Sequence, residues 1–129
     1  MIDHTGIGVA DVAQSALFYD AALSALGMRR VYEMKNDGAL EGIGYGFDFP
    51  LFWIDRFHPP AQRYHTGFRA KSPEAVNSFY EKALAAGGKD NGKPGYRKGQ
   101  STEIYYAAFV IDPDGNNMEA VYRGPLPRD

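Results

Sequence analysis

The sequence predicts an α+β fold in which one unit is used twice, each unit being a strand, a helix and three further strands. Three observations lead there. His4-Thr5-Gly6 returns as His65-Thr66-Gly67, 61 residues later. The same offset carries Phe18-Tyr19 onto Phe79-Tyr80, Ala22-Leu23 onto Ala83-Leu84 and Gly27 onto Gly88. In each copy a segment alternating with period two is followed by one with helical period, and turn signals cut the rest into strand-length pieces. A period of this length marks a repeated supersecondary unit and decides how the chain is read. The expected architecture is two tandem βαβββ modules forming a cup-shaped mixed sheet, with the helices on its outer face.

Composition bounds the possibilities. The chain has 129 residues, 44% of them apolar. A module of roughly 60 residues is marginal alone, so the two should share a core. The expected organisation is one domain over residues 1–123, with module one at 1–56, a linker at 57–63 and module two at 64–123. Residues 124–129 form a tail. No apolar run reaches the ~20 residues that span a bilayer, and no secretion signal is evident at the start. The chain contains no cysteine, which removes disulfides and thiolate chemistry. A net charge of −2 argues against a nucleic-acid partner, which a basic stripe would announce. A cytoplasmic location is the expectation.

Taken in order, Ile2–Val9 alternates as a strand. Thr5, Ile7 and Val9 share one face, and His4, Gly6 and Gly8 the other. Glycines inside a strand mark places where something approaches closely, so this face reads as a hollow with His4 at its rim. Asp11 and Gln14 stand at N-cap and N3 of a helix running to about Leu26. Val12, Ala16, Tyr19 and Leu23 form its buried stripe, and Gly27 its C′ residue. Strands follow at about Met28–Lys35, Leu40–Phe47 and Leu51–Asp55. Phe57–Arg63, with Pro59-Pro60, is a stiff linker kept from strand pairing.

Module two opens with a strand over Tyr64–Ala70, with His65, Gly67 and Arg69 on the hollow face. Ser72 caps the second helix, Pro73 takes N1, and Gly87-Gly88 ends it. Lys89–Glu103 is polar and glycine-rich, and predicts one short strand and a mobile loop. Tyr105–Ile111 is a strand, Asp112-Pro113-Asp114-Gly115-Asn116 a turn, and Asn117–Tyr122 the last strand, with Glu119 on the same face as Asn117 and Val121.

The candidate chemistry gathers where equivalent positions meet about a pseudo-twofold axis. His4 and His65, joined by Glu119, would make a two-histidine, one-carboxylate metal site with open positions for water, substrate or dioxygen. A carboxylate between Met118 and Ala120 on an inward face needs a cation or donors. His58, without a counterpart in the repeat, reads as a surface residue. Arg69 either holds an anionic group or pairs with an acid. Lys93, Arg97 and Lys98 close over an anionic substrate or form a solvated charge run. Phe52 and Trp53 make an apolar wall or simply pack the core.

His4, His65 and the run Phe109-Val110-Ile111-Asp112-Pro113-Asp114-Gly115-Asn116-Asn117-Met118-Glu119 make the chain resemble the vicinal oxygen chelate superfamily. This is the glyoxalase, bleomycin-resistance and extradiol-dioxygenase group, and the resemblance covers about residues 2–122. It implies paired modules around a divalent metal (iron, manganese, nickel or zinc). Ligands are carried over to His4, His65 and Glu119, with Glu119 also the catalytic carboxylate. Phe52, Trp53, Arg69, Tyr96 and Arg97 are the expected substrate-lining residues. The fourth strand departs from the glyoxalase I pattern. Where that enzyme has a ligand glutamate, this chain offers Phe52 or, with a one-residue slip, Trp53.

The leading expectation is therefore a small metalloenzyme, not a standard four-ligand glyoxalase I. It would chelate vicinal oxygens of a small substrate for lyase, isomerase or ring-cleaving dioxygenase chemistry. The alternative is a metal-free, ligand-sequestering protein of the bleomycin-resistance type, and an interaction module ranks last. The family pattern also implies a homodimer, with modules side by side or exchanged between chains.

Overall fold

The computed structural model describes residues 1–98 and 103–125. Its elements run β1 (Thr5–Gly8), α1 (Val12–Ser24), β2 (Arg29–Asn36), β3 (Ala39–Gly46), β4 (Pro50–Asp55), β5 (His65–Arg69), α2 (Pro73–Ala85), β6 (Lys89–Tyr96), β7 (Glu103–Ile111) and β8 (Asn117–Pro125). The α+β class and the doubled βαβββ unit are as the repeat predicts. The strands form two separate four-stranded mixed sheets, ordered β1-β4-β3-β2 and β5-β8-β7-β6, open rather than closed. In both, the first strand lies parallel to the fourth and the others run antiparallel. No helix is long and apolar enough to cross a membrane among the described residues.

Local chemistry sets the helix ends. The Asp11 carboxylate accepts from the Gln14 backbone N–H at 3.1 Å, and Ser72 Oγ accepts from Ala75 N at 3.1 Å. Each bond satisfies a donor that the first helical turn leaves free. Beyond α1, Gly27 takes φ +84° and Met28 N returns to Leu23 O at 3.0 Å, the reversal that a residue without Cβ permits most cheaply.

One core joins the helix-bearing sides of both sheets. Phe18, Tyr19, Ala22 and Leu23 of α1 and Val76, Phe79 and Ala83 of α2 are fully buried in it. Helix α1 packs on β2, β3 and β4, α2 on β6, β7 and β8, and the two helices pack on each other. The Phe52 and Phe68 rings meet edge to face, their centroids 5.1 Å apart, directly bridging the two sheets. The buried residues of both modules join in one cluster, which suits modules too small to be stable alone.

The Asp112–Asn116 turn is more than a local reversal. The Asp112 carboxylate, buried at 4% exposure, accepts from the Tyr19 hydroxyl at 2.6 Å, Asp114 N at 2.9 Å, Asn116 N at 2.8 Å and Asn116 Nδ2 at 3.0 Å. Asn116 Nδ2 also donates to Ala61 O, and its Oδ1 accepts from Tyr64 N. Asp114 reaches the Ala10 backbone N–H. One turn thus binds the first helix, the linker and the end of the first strand.

Some boundaries differ from expectation. β6 is a full eight-residue strand rather than a short one. Bulges on either side of Gly92 let a segment with Gly92, Pro94 and Gly95 follow the sheet edge, where a missing donor is tolerated. The linker does pair, through a bridge from Pro60 to Gly8 and a bond from Ala61 N to Gly8 O at 2.9 Å. Of the tail expected at 124–129, residues 124–125 instead continue β8 to Pro125; the mobile loop expected in Lys89–Glu103 falls partly on residues 99–102, and the rest of the tail on residues 126–129. Both lie outside the described residues.

Tyr19 and Tyr45 predict the alkaline behaviour. Burial, reinforced by Asp112, raises the Tyr19 phenol well above its usual range. Burial and the Asp20 carboxylate raise Tyr45 likewise. The unfolded chain ionises both near pH 10 while the native chain keeps them neutral. Stability is therefore fully present below pH 10 and lost above it. At pH 11 the loss is roughly 1.4 kcal/mol for each tyrosine. Urea midpoints at pH 8 and pH 11 test this, and Tyr45→Phe should remove about half of the drop.

Candidate metal and substrate site

Alternation places His65, Gly67 and Arg69 of β5 on the helix-free face of the second sheet, with Asn117, Glu119, Val121 and Arg123 of β8. Gly67 stands opposite Glu119 in the register. A Cβ there would meet Glu119 Oε1 at 3.5 Å, an ordinary contact, so the carboxylate lies directly beside the Gly67 backbone. His65 Nδ1 lies 2.9 Å from the Asn117 carbonyl oxygen. A carbonyl only accepts, so Nδ1 carries a proton, and that bond fixes where Nε2 points. That Nε2 faces Glu119 Oε1 at 3.1 Å. With a proton between them the two make an ion pair; a metal ion in its place would find two ligands, and a backbone carbonyl behind the ring is the usual orienting partner of a metal-bound histidine.

The other Glu119 oxygen accepts a hydrogen bond from Tyr105. Partial burial and the Glu119 carboxylate push the Tyr105 phenol up to about 12, against the opposing pull of Arg123 and Arg97. Tyr105 therefore remains a donor at neutral pH and holds Glu119 with Oε1 turned toward His65. The Phe109 ring stacks on His65 with centroids 6.3 Å apart. Glu119 is only 5% exposed, while the His65 side chain is 49% exposed. The pair is rigid on one side and open on the other.

His4 does not join them within the chain. It precedes β1 on module one, where Nδ1 pairs with Asp3 at 2.7 Å. Among the described residues no three His, Asp or Glu side chains gather to hold an ion. His4 instead borders a cavity of about 900 Å³ on the open side of module one, with Met34, Phe49, Trp53, His58 and Tyr64. His58 is exposed, and its Nδ1 lies 2.9 Å from Asp55.

The register decides which fourth-strand residue corresponds to Glu119. Gly6 pairs with Trp53, as Gly67 pairs with Glu119. Trp53, not Phe52, occupies the place of the carboxylate. Its indole lies over Gly44 and beside Tyr32, ring centroids 5.8 Å apart. Phe52, expected on the lining, points the other way and is 2% exposed in the core, because adjacent strand residues face opposite sides. Gly6 and Gly8 line the module-one cavity, and both are also closely approached by the chain itself. A Cβ on Gly6 would strike Trp53 at 2.8 Å, and one on Gly8 the linker carbonyls at 2.3 Å.

Two other lining expectations separate. Tyr96 pairs with Tyr106 and packs against its ring. Tyr106 faces α2, where its hydroxyl donates to Asn77. Tyr96 is therefore on the helix side, not on the face with His65. Arg97 lies over Phe109, 5.7 Å from the ring centroid, on the His65 side. Arg69 is exposed on that face and forms no ion pair among the described residues. Sequence reading missed Tyr105, Phe109 and Asn117 as partners of the pair. Their shared odd numbering with Glu119 and Arg123 along paired strands was the available signal.

The chain belongs to the Glyoxalase/Bleomycin resistance protein/Dioxygenase superfamily, whose family model matches residues 1–120. It is similar to a glyoxalase/bleomycin resistance protein of Albidiferax ferrireducens T118 at 32% identity and TM-score 0.76, covering 95% of this chain and 98% of that one. A glyoxalase-related enzyme of Fulvimarina pelagi shares the fold, at 19% identity and TM-score 0.66 over 92% and 86% of the two chains. The lactoylglutathione lyase GLX1 of Arabidopsis thaliana is 30% identical over 96% of this chain and 44% of its own length. The chain thus spans less than half of that curated relative.

Proposed function

We propose that the protein is a small metalloenzyme of the glyoxalase/dioxygenase type, with a divalent ion held by His65 and Glu119 of one chain and His4 of a second. The observation that carries this reading is the orientation of His65. Its Nδ1 is committed to a carbonyl and its Nε2 is aimed at a carboxylate oxygen 3.1 Å away, a place that suits a metal ion in exchange for a proton. Two nitrogens and one carboxylate leave positions open for two vicinal oxygens of a substrate, and a bound ion would act there as a Lewis acid. Lyase, isomerase and ring-cleaving chemistry all begin from such chelation.

The residues around the ion narrow the chemistry. Glu119, fixed by Tyr105, is the carboxylate placed to take a proton from a chelated substrate. Trp53 stands where a second carboxylate would be needed for a four-ligand centre, and an indole neither binds a metal nor accepts a proton. The similarity to lactoylglutathione lyases therefore supports the reaction family more than that particular reaction. Trp53 and Tyr32 suit the apolar part of a substrate.

The direct test is elemental analysis of protein purified without chelator. About one divalent ion per chain is expected, and Glu119→Gln should lower metal affinity by more than about 100-fold, beyond what the loss of a mere orienting partner costs. A metal-free wild type would favour the second reading, a protein that sequesters a ligand. That reading is supported by the cavity on module one, and it predicts a ligand affinity indifferent to chelator.

A further inference from the structure

We infer that Arg97 is an anion-binding residue that seats the acid group of a small substrate beside His65 and Glu119. This rests on the reading of that face as a substrate site and extends it to the charge class of the substrate. Four observations converge on Arg97. Its backbone N–H donates to Tyr105 O at 2.7 Å, so the residue is fastened where β6 ends. Its guanidinium lies over Phe109, the ring that stacks on His65.

The strand beneath it is stripped of side chains. A Cβ on Gly95 would come within 3.2 Å of Nη1, and one on Gly92 within 3.4 Å of Nη2. Gly92 has φ +152°, a conformation open to glycine and to few others. The two bulges around Gly92 thus form a cradle for a flat cation. Finally, among the described residues its side chain makes one hydrogen bond, from Nη2 to Lys93 O. Most of the guanidinium donors remain for a ligand.

The electrostatics point the same way. Among the described residues no carboxylate forms an ion pair with Arg97. Arg97 is close enough to pull on the Tyr105 phenol, and Arg69 and Arg123 share its face. Held in place by its backbone and by Phe109, and without an acid partner among the described residues, the guanidinium offers its remaining donors to water or to an incoming anion. Its planar fork matches the two oxygens of a carboxylate or phosphoryl group. A merely structural clamp on the bulge would need only the bond to Lys93 and would be indifferent to ligand charge.

The test titrates the full-length chain, as purified and after metal removal, with benzoate, phenyl phosphate and neutral benzamide, following each probe by ligand-observed NMR. At least one anion should bind about tenfold or more tighter than benzamide, and which one identifies the acid group. Arg97→Gln should abolish the preference, Arg97→Lys should keep part of it, and Lys98→Gln should leave it unchanged. The preference should survive metal removal. Equal binding of all three probes, no binding of either anion, a preference retained in Arg97→Gln, or one lost with the metal would each overturn the assignment. A chain that binds no metal yet keeps an Arg97-dependent preference would sink the metalloenzyme reading alone.

Discussion

Co-expressing His4→Ala and His65→Ala chains should restore about a quarter of the metal sites that each variant lacks by itself. The figure follows from twofold symmetry. Suppose each site takes His4 from one chain and His65 with Glu119 from its partner. Either variant alone then has no complete site. Random pairing makes half of the dimers mixed. In a mixed dimer one site has lost both histidines and the other has lost neither. Half of the dimers with half of their sites intact gives about one quarter of wild-type metal.

A site built within a single chain behaves differently. Each site in a mixed dimer would then lack one histidine, and no metal would return. The structure motivates the first outcome. His65 and Glu119 converge on one face at 3.1 Å, while His4 sits on the other module, paired with Asp3. Metal analysis of the whole co-expressed pool reads the quarter, and tandem-tagged mixed dimers isolated from it should hold about half of wild-type metal. Recovery no greater than in the single variants would exclude a site shared between chains.

Asp112→Ala should destabilise the chain by roughly 3–5 kcal/mol, a large part of the 5–15 kcal/mol typical of a whole domain. The carboxylate is buried and receives the Tyr19 hydroxyl, two backbone N–H groups and the Asn116 amide. Alanine would leave these donors without an acceptor, and each buried donor left unsatisfied costs about 1–3 kcal/mol. Compensation by entering water keeps the total below the simple sum. Asp112→Asn retains one acceptor oxygen and should cost less, about 1–2 kcal/mol.

Asp114→Ala is the contrasting change. Asp114 lies in the same turn, but its contact with Ala10 N is exposed. Its loss should cost less than about 1 kcal/mol. Urea denaturation of the three variants checks the order. An Asp112→Ala chain within 1 kcal/mol of wild type would mean that the turn does not hold the modules together.

Much of the fold was legible because its determinants are local. The caps at Asp11 and Ser72, the reversal at Gly27 and the parity that sets Glu119 apart from Met118 and Ala120 depend on neighbours a few residues away. The doubled His-Thr-Gly revealed two modules for the same reason. Phe52 and Trp53 were not separable, because Leu51-Phe52-Trp53-Ile54 is apolar at every position. No polar residue marks which face is open, and only pairing with β1 sets the register. Tyr96 was misplaced for a similar reason, since the bulges at Gly92 set the face it presents, while Arg97 does lie on the His65 side.

The sequence by itself determined the class, the repeat and the residue types able to hold a metal, because periodicity and turn chemistry are written in short spans. Tertiary structure alone decided that Asp112 is a buried clasp, since Tyr19 reaches it from 93 residues away. It also decided that His65 keeps company with Glu119 while His4, in nearly the same local sequence, does not. Identical short segments acquire different partners when the strands beside them differ. Beside β5 stands a strand carrying a carboxylate, and beside β1 one carrying an indole.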